Sequence, residues 1–147
     1  RKQSARVQWI NQSSDRYVFQ TILEYSHFSE RHGLKTSGYW FSQDVKVLIP
    51  NWNLSVQARV AHFDTDDYYS RIYVYEPDVL YSFSVPARSG NGVLGLLNVG
   101  WDITSNMQCW GRLMFVHRRD ADTIGSGYEM VNSDSETEVK LQLRYRF

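Results

Sequence analysis

The sequence lacks several features that would assign it to a common protein class. It contains a single cysteine, Cys109, so neither an internal disulfide nor a cysteine metal cluster can form. No run of 18 or more apolar residues occurs, which excludes a transmembrane helix. The formal net charge is zero, so no broad electrostatic attraction to nucleic acid or to an anionic membrane is expected. A helical period of 3.6 residues persists nowhere, and the chain is therefore predicted to be all-β.

Aromatic residues, in contrast, are abundant. They make up 15% of the 147 residues, with 10 Tyr and 5 Trp. Tyr and Trp are amphipathic and settle where hydrocarbon meets lipid head groups, so their number suits a transmembrane β-barrel with two aromatic girdles. The mean hydropathy of -0.47 is compatible with such a barrel, because a transmembrane strand exposes only every second residue to lipid. The alternative is a soluble β-sandwich or a lipocalin-like binding protein.

The final stretch, residues 137–147, alternates strictly between apolar and polar side chains. One side carries Val139, Leu141, Leu143, Tyr145 and Phe147, and the other carries Lys140, Gln142, Arg144 and Arg146. A carboxyl-terminal Phe with Tyr145 two positions before it and the basic Lys140 near it resembles the closing strand of bacterial outer-membrane β-barrels. The pattern departs from that family once, with Gln142 where Gly is usual. The resemblance implies that Lys140, Tyr145 and Phe147 form the signal read by the barrel-assembly machinery, and that the C-terminus is periplasmic.

Further alternating stretches predict about eight or nine antiparallel strands in an up-and-down transmembrane β-barrel. The remaining predicted strands cover residues 4–11, 17–28, 39–49, 54–61, 71–75, 79–85, 93–103 and 107–117. The hairpin 71–85, with Glu76-Pro77-Asp78 as its turn, is predicted to cross the membrane. The alternative is that this hairpin folds over the barrel mouth as part of one long loop.

If Phe147 lies on the periplasmic side, the alternating direction of the strands assigns every turn to one side of the membrane. The turns around residues 11–15, 50–53, 76–78 and 105–106 fall in the periplasm and are short, whereas residues 29–38 and 119–136 fall outside and are the longest connections. Short periplasmic turns and longer external loops are typical of outer-membrane barrels. The acidic residues between Asp120 and Glu138 are also compatible with sharing divalent cations with lipopolysaccharide phosphates, although their pattern is not specific for this role.

The whole chain, residues 1–147, is predicted to be a single β-barrel domain or segment. A complete bacterial barrel has an even number of strands and both ends inside. Residues 1–14 are then either a periplasmic tail before a complete eight-stranded barrel or the first strand of the C-terminal part of a larger one. The alternation over residues 4–11 and the start at Arg1 without Met or signal peptide favour the larger barrel.

A second resemblance extends over about residues 55–147. The run from Ala58 to Pro86, and Asp122-Thr-Ile-Gly-Ser-Gly127 leading to the final strand, look like the C-terminal barrel of a family of outer-membrane proteins with helix-hairpin-helix modules near the amino terminus. The resemblance implies a barrel that continues upstream. Such modules bind nucleic acid without sequence preference in other proteins, but none is present here, so no nucleic-acid partner is predicted for this segment.

Charged residues of both signs are predicted to line the lumen: Glu24, Asp44, Lys46, Arg59, Asp102, Arg112, Lys140, Arg144 and Arg146. Because both signs occur, we favour a lumen filled by ion pairs. The alternative is a basic wall of Lys140, Arg144 and Arg146 beside Arg112 that favours anions. The opposing interpretation of these four residues is ordinary lumen solvation, with carboxylate partners on strands outside this sequence.

No catalytic residue, cofactor or metal site is predicted. Asp64, Asp66 and Asp67 lack the spaced Gly and Glu of an EF-hand and are interpreted as a solvated turn. The four histidines, His27, His32, His62 and His117, are scattered, and no Gly-x-Ser-x-Gly motif occurs.

The predicted role is passage of solute or polymer through the outer membrane, or a subunit of an envelope complex. The predicted partners are outer-membrane lipid, lipopolysaccharide, the barrel-assembly machinery and other envelope proteins. An outer-membrane hydrolase is the enzymatic alternative.

Overall fold

The computed structural model describes residues 1–30, 33–119 and 133–147. Strands dominate these residues, and the all-β prediction is confirmed. In chain order the strands are β1 (Lys2–Ser14), β2 (Tyr17–Ser29), β3 (Lys35–Ile49), β4 (Leu54–Thr65), β5 (Ile72–Tyr73), β6 (Ala87–Arg88), β7 (Asn91–Asp102), β8 (Met107–Arg118) and β9 (Ser135–Tyr145). Single 3-10 turns lie at Pro50–Trp52 and Tyr68–Ser70. In the described part of the chain, no helix has the length and apolarity needed to cross a membrane.

Seven of the strands form one antiparallel sheet in the order β1-β2-β3-β4-β7-β8-β9. Neighbouring strands of the sheet are also consecutive in the chain, except that β4 pairs directly with β7. The sheet is open, because β1 and β9 form its two edges and do not pair with one another. An up-and-down antiparallel sheet is therefore observed, and its closure into a barrel is not.

The prediction that residues 71–85 form two strands of this sheet is wrong. Residues 66–90, which we call the covering segment, leave the sheet after β4 and pack across one of its faces. Within the segment only the two-residue strands β5 and β6 pair, together with an isolated bridge between Glu76 and Ser84. Alternation in this segment reflects packing on the sheet, since Ile72 and Val74 are buried against it while Tyr73 and Tyr75 point away. Period-two alternation shows that one side is buried but not what buries it.

The remaining strands are longer than predicted, except that β9 has the predicted length and begins two residues earlier, at Ser135. Residues 2–14 form β1, so the amino-terminal stretch is a strand and not a tail. β3 begins at Lys35, which shortens the connection predicted at residues 29–38. Of the loop predicted at residues 119–136, residues 120–132 lie outside the described part of the chain, and so do Asp122–Gly127 of the resemblance and His32.

The face of the sheet beneath the covering segment, which we call the covered face, holds the apolar core. Its centre is the stacked pair Trp40 and Phe63, whose ring centroids are 6.1 Å apart and whose side chains are fully buried. The segment adds Ile72 and Val74. The sheet completes the core with Ile22, Ala61, Leu94, Leu96, Met114 and Val116. This core fixes the covering segment against β2, β3, β4, β7 and β8.

The opposite face, which we call the open face, is apolar and exposed. The strand register aligns one residue from every strand in a row across it: Asn11, Phe19, Val45, Ala58, Leu97, Leu113 and Val139. The polar Gln43, which interrupts the alternation of β3, accepts a hydrogen bond from the Thr21 hydroxyl at 2.7 Å. Amphipathic rings lie toward both ends of the strands, with Tyr17, Trp101 and Tyr145 at one end and Tyr25 and Tyr39 at the other.

Two glycines of β7 allow a matched test of packing on the two faces. A Cβ at Gly92, on the covered face, would lie 2.6 Å from the backbone oxygen of His117 and 2.7 Å from the Phe63 ring, whereas a Cβ at Gly95, on the open face, meets nothing within 4 Å. We predict that Gly92→Ala lowers the free energy of unfolding by about 1–3 kcal/mol. Gly95→Ala should be neutral or slightly stabilising. Urea unfolding of both variants in detergent checks this, and equal midpoints would contradict the described packing.

Candidate functional site

The structure places eight of the nine predicted lumen residues on the covered face. By strand register these are Glu24, Asp44, Lys46, Arg59, Asp102, Arg112, Lys140 and Arg144. Arg146 is the exception, because it follows β9 and is exposed. Glu24, Asp44, Arg59 and Arg112 are buried, while Lys46 and Asp102 lie toward the strand ends and are exposed. The covered face is therefore both charged and, at its centre, buried.

Glu76 of the covering segment is the centre of a buried ion-pair network. Its Oε1 accepts hydrogen bonds from Arg88 Nε at 2.9 Å and Nη2 at 2.5 Å, and its Oε2 accepts one from Arg112 Nη2 at 2.9 Å. All three side chains are at most 5% exposed. Arg112 is also paired with Glu138 of β9. Burial of these charges is tolerable because each guanidinium and carboxylate has an oppositely charged partner.

Asp78 extends this network toward β9. One carboxylate oxygen lies 2.8 Å from Lys140 Nζ and 3.8 Å from Arg112 Nη1, and the side chain is fully buried. Burial raises the pKa of Asp78, but the hydrogen bonds from Lys140, from the Val79 backbone N–H and from the Ser82 hydroxyl, together with the charge of Arg112, hold the pKa below its ordinary value. The carboxylate therefore stays ionised and fixes Lys140.

Two further arginines of the sheet, Arg59 and Arg6, bind the covering segment by the same kind of contact. Arg59 makes a bidentate pair with Asp44, at 2.7 and 2.6 Å, and donates a third hydrogen bond from Nη1 to the Tyr75 carbonyl at 2.6 Å. Arg6 pairs with Glu24 through Nε at 2.6 Å and donates to the Tyr73 carbonyl at 2.7 Å. Each arginine is oriented by a carboxylate on the adjacent strand and binds the backbone of the segment with its remaining N–H groups.

The acidic residues at the start of the segment serve local structure. Asp66 accepts hydrogen bonds from the backbone N–H and the hydroxyl of Ser37, at 2.7 and 3.0 Å. Asp67 caps the 3-10 turn by accepting from the N–H groups of Tyr69 and Ser70. Among the described residues, no three His, Cys, Asp or Glu side chains are grouped so that they could hold a metal ion.

Two of the four residues of the predicted basic wall, Arg112 and Lys140, are neutralised by these contacts. Arg112 and Lys140 both have carboxylate partners, which come from the covering segment and from β9. Arg144 donates to Gln108 and, at 2.7 Å, to the Tyr81 hydroxyl, and its guanidinium lies over the Trp110 ring at 5.3 Å. The contacts of Arg112 and Lys140 therefore favour a lumen filled by ion pairs, whereas Arg144 contacts neutral groups.

The sequence reading missed Glu76, Asp78 and Arg88 as site residues. It assigned Glu76 and Asp78 to a periplasmic turn because they flank Pro77, whereas the structure buries both on the covered face. The available signal was the alternation Ile72, Val74, Glu76, which places the carboxylate on the same side as two buried apolar residues.

The described histidines include one contact relevant to the hydrolase alternative. His117 Nδ1 lies 3.1 Å from Ser135 Oγ and 3.6 Å from Asp134 Oδ2. A catalytic triad needs the hydroxyl and the carboxylate on different ring nitrogens. Here both approach Nδ1, and the Ser135 hydroxyl donates to Asp134 at 2.8 Å. This arrangement does not activate the serine.

We predict that Glu76→Gln destabilises the protein by about 3–5 kcal/mol, because it removes the charge that compensates two buried guanidinium groups. The matched control is Glu138→Gln. Glu138 also pairs with Arg112 but is 35% exposed, so the loss should be below about 1 kcal/mol. Urea unfolding followed by Trp fluorescence measures both, and a smaller effect at Glu76 than at Glu138 would contradict the network.

The pH dependence of the attachment follows from Asp78. The pKa of Asp78 in the folded protein is below the ordinary 3.8. The stabilisation that its carboxylate gives to the attached segment is therefore complete above pH 3.8, and it is lost as the pH falls through the lower, folded-state pKa. We expect the exchange-protection factors of the Val79 and Ser82 amides, corrected for intrinsic rates, to be constant between pH 7 and pH 5 and to fall in acid. Asp78→Asn should show the reduced protection already at pH 7, and full protection in that variant would refute the role of Asp78.

Comparison with known protein families, with curated proteins and with solved structures finds no match for this chain. The resemblance to outer-membrane proteins with helix-hairpin-helix modules therefore stays a prediction, carried by the residues of this sequence alone.

Proposed function

We propose that this chain forms one wall of a bacterial outer-membrane β-barrel, as the C-terminal part of a larger barrel, with Phe147 at the periplasmic side. In this proposal the open face contacts lipid and lipopolysaccharide, and the covered face lines the lumen. The barrel serves passage of solute or polymer, and the covering segment sets the width of that passage.

The distribution of charge between the two faces carries the proposal. In the seven strands of the sheet, the charged residues of the open face are Lys35 and Asp64, which lie at the same end of the sheet at strand termini. Every other Asp, Glu, Lys and Arg of these strands is on the covered face: Lys2, Arg6, Glu24, Asp44, Lys46, Arg59, Asp102, Arg112, Arg118, Glu136, Glu138, Lys140 and Arg144. A soluble sheet has the reverse arrangement, with charges toward water.

The open face also has the extent expected of a lipid-facing surface. Val60, Val139, Leu141 and Leu143 are 63–80% exposed, and they belong to a continuous apolar surface. From Trp101 to Val93 this surface spans eight residue steps of β7, roughly 27 Å along the strand. With the usual strand tilt this approaches the apolar band of about 25 Å in outer-membrane barrels. Exposed apolar patches of this size are rare on soluble monomers.

The covering segment supports a restricted passage. It lies against the charged face of the sheet and is held there by Glu76, Asp78 and the arginines that bind its backbone. Its other surface presents Tyr73, Tyr75, Tyr81 and Phe83, which are 42–83% exposed. Removal of the Glu76 and Asp78 contacts should therefore widen the passage.

The soluble β-sandwich or lipocalin-like protein is the competing proposal. It requires a second protein layer over Val139, Leu141 and Leu143, and nothing in the described part of the chain packs there. Extraction separates the two proposals. The native protein should leave the cell envelope only with detergent, and a monodisperse species in aqueous buffer would contradict the membrane location.

Cysteine labelling tests the proposed orientation. In a Cys109→Ser background, Asp15→Cys and Ser105→Cys place a thiol at the turns on the side of Phe147, while Glu30→Cys and Arg119→Cys place one at the other end of the strands. We predict that a membrane-impermeant maleimide labels the second pair in intact cells and the first pair only after the outer membrane is permeabilised. Equal labelling of all four positions in intact cells would contradict the orientation.

A further inference from the structure

The two edge strands carry rows of backbone groups without partners in the described sheet. Arg1 exchanges both backbone hydrogen bonds with Ser29, at 2.5 and 2.9 Å. In an antiparallel pair, bonded and non-bonded residues alternate. The uninterrupted register from Lys2 to Gln12 therefore directs the N–H and C=O groups of the even-numbered residues to the free edge of β1.

At β9 the same reasoning shows that the odd-numbered residues direct their backbone N–H and C=O groups to the free edge. The Arg118 N–H donates to the Asp134 carbonyl at 2.7 Å, and the Arg146 N–H donates to the Asn106 carbonyl at 2.9 Å. Even-numbered residues of β9 are thus bonded to β8. The free edge is formed by Ser135, Thr137, Val139, Leu141, Leu143 and Tyr145, most of which belong to the apolar open face. In hydrocarbon such backbone groups must be satisfied within protein, so both edges require partner strands.

Strand direction restricts what these partners can be. All six interfaces of the sheet are antiparallel, so β1 and β9 run in the same direction. Direct pairing of β1 with β9 would be parallel. A second copy of this chain in the same membrane orientation would also meet it through parallel edges. Antiparallel pairing at both edges requires an odd number of additional strands, which gives the even total found in bacterial barrels.

The covering segment sets a lower limit on that number. An eight-stranded barrel has an interior that side chains alone fill, with a diameter of about 16 Å at the usual spacing and tilt. A backbone layer packs about 10 Å from a sheet, and the opposite wall must lie about 10 Å beyond it. A diameter of about 20 Å is reached at ten strands. One additional strand would give a barrel of eight strands, and its interior is therefore too narrow to hold residues 66–90.

We propose that β1 and β9 are bridged by an odd number of antiparallel transmembrane strands, three or more, from polypeptide outside residues 1–147, so that the covering segment is enclosed within a barrel of at least ten strands. This inference rests on the proposed function, since only a lipid environment forbids the open edges. It names the partner that the sheet lacks and excludes a second copy of this chain.

Paired proline variants test whether the edges are occupied in the protein as it exists in the outer membrane. Val7 has its N–H bonded to β2, whereas the N–H of Gln8 points to the free edge of β1. With the edge occupied, Gln8→Pro should lower the urea midpoint in detergent about as much as Val7→Pro, and Gln8→Ala should leave it unchanged. If Gln8→Pro behaves like Gln8→Ala while Val7→Pro is impaired, the edge is free and the inference is overturned, even though the membrane location can stand.

A distance measurement tests the number of strands. Because the strands of a barrel are tilted, residues of one register row do not face each other across the gap between β1 and β9. With Cys109→Ser, one spin label is therefore fixed at Val7, whose side chain is on the open face, and the second is moved along the open-face positions of β9 from Thr137 to Tyr145. The shortest separation in this scan should be about 18 Å or more between backbones in a barrel of ten or more strands, against about 10 Å in one of eight. A separation near the shorter value would overturn the inference. Recovery of the native protein in aqueous buffer would instead refute the proposed function on which it rests.

Discussion

A buried charge is stable only beside an opposite charge and with its hydrogen bonds satisfied. The sheet places Arg59 and Arg112 at the centre of one face, where the packed segment excludes water. Asp44 pairs with the first of these from the adjacent strand, whereas Arg112 pairs with Glu138 of the adjacent strand and also with Glu76, which the covering segment brings from outside the sheet. The segment and the charged face therefore depend on each other. The segment shields the face from solvent, and the charges of the face hold the segment in position.

This constraint also explains the other side of the sheet. Since the strands alternate, each charge directed to the covered face leaves the neighbouring positions to the open face, and these are apolar along most of every strand. Even Gln43 fits the pattern, because its amide oxygen is bonded to Thr21 on the next strand. The result is a sheet whose charged groups lie on the side covered by protein, apart from Lys35 and Asp64 at strand ends. A lipid environment on the other side accounts for this arrangement with no further assumption.

Period-two alternation predicted most of the sheet correctly, including the faces of Glu24, Asp44, Arg59 and Arg112. It failed in the covering segment for a physical reason. Ile72, Val74 and Glu76 alternate as a membrane strand would, but their partners include residues of β2, β3 and β8. Packing between residues that are distant in the chain cannot be read from the local sequence. Pro77 then suggested a turn. The count of turns on each side was also uninformative, because it is the same whether residues 71–85 cross the membrane or fold back onto the sheet.

The central claim is that the two faces of the sheet meet different media. The most direct measurement is a spin-label scan along β9, from Thr137 to Tyr145, in lipid bilayers, with collision rates recorded for oxygen and for a water-soluble nickel reagent. The proposed barrel predicts that oxygen accessibility alternates with a period of two and is highest at Val139, Leu141 and Leu143. High nickel accessibility at these three positions, with no alternation in oxygen, would contradict it.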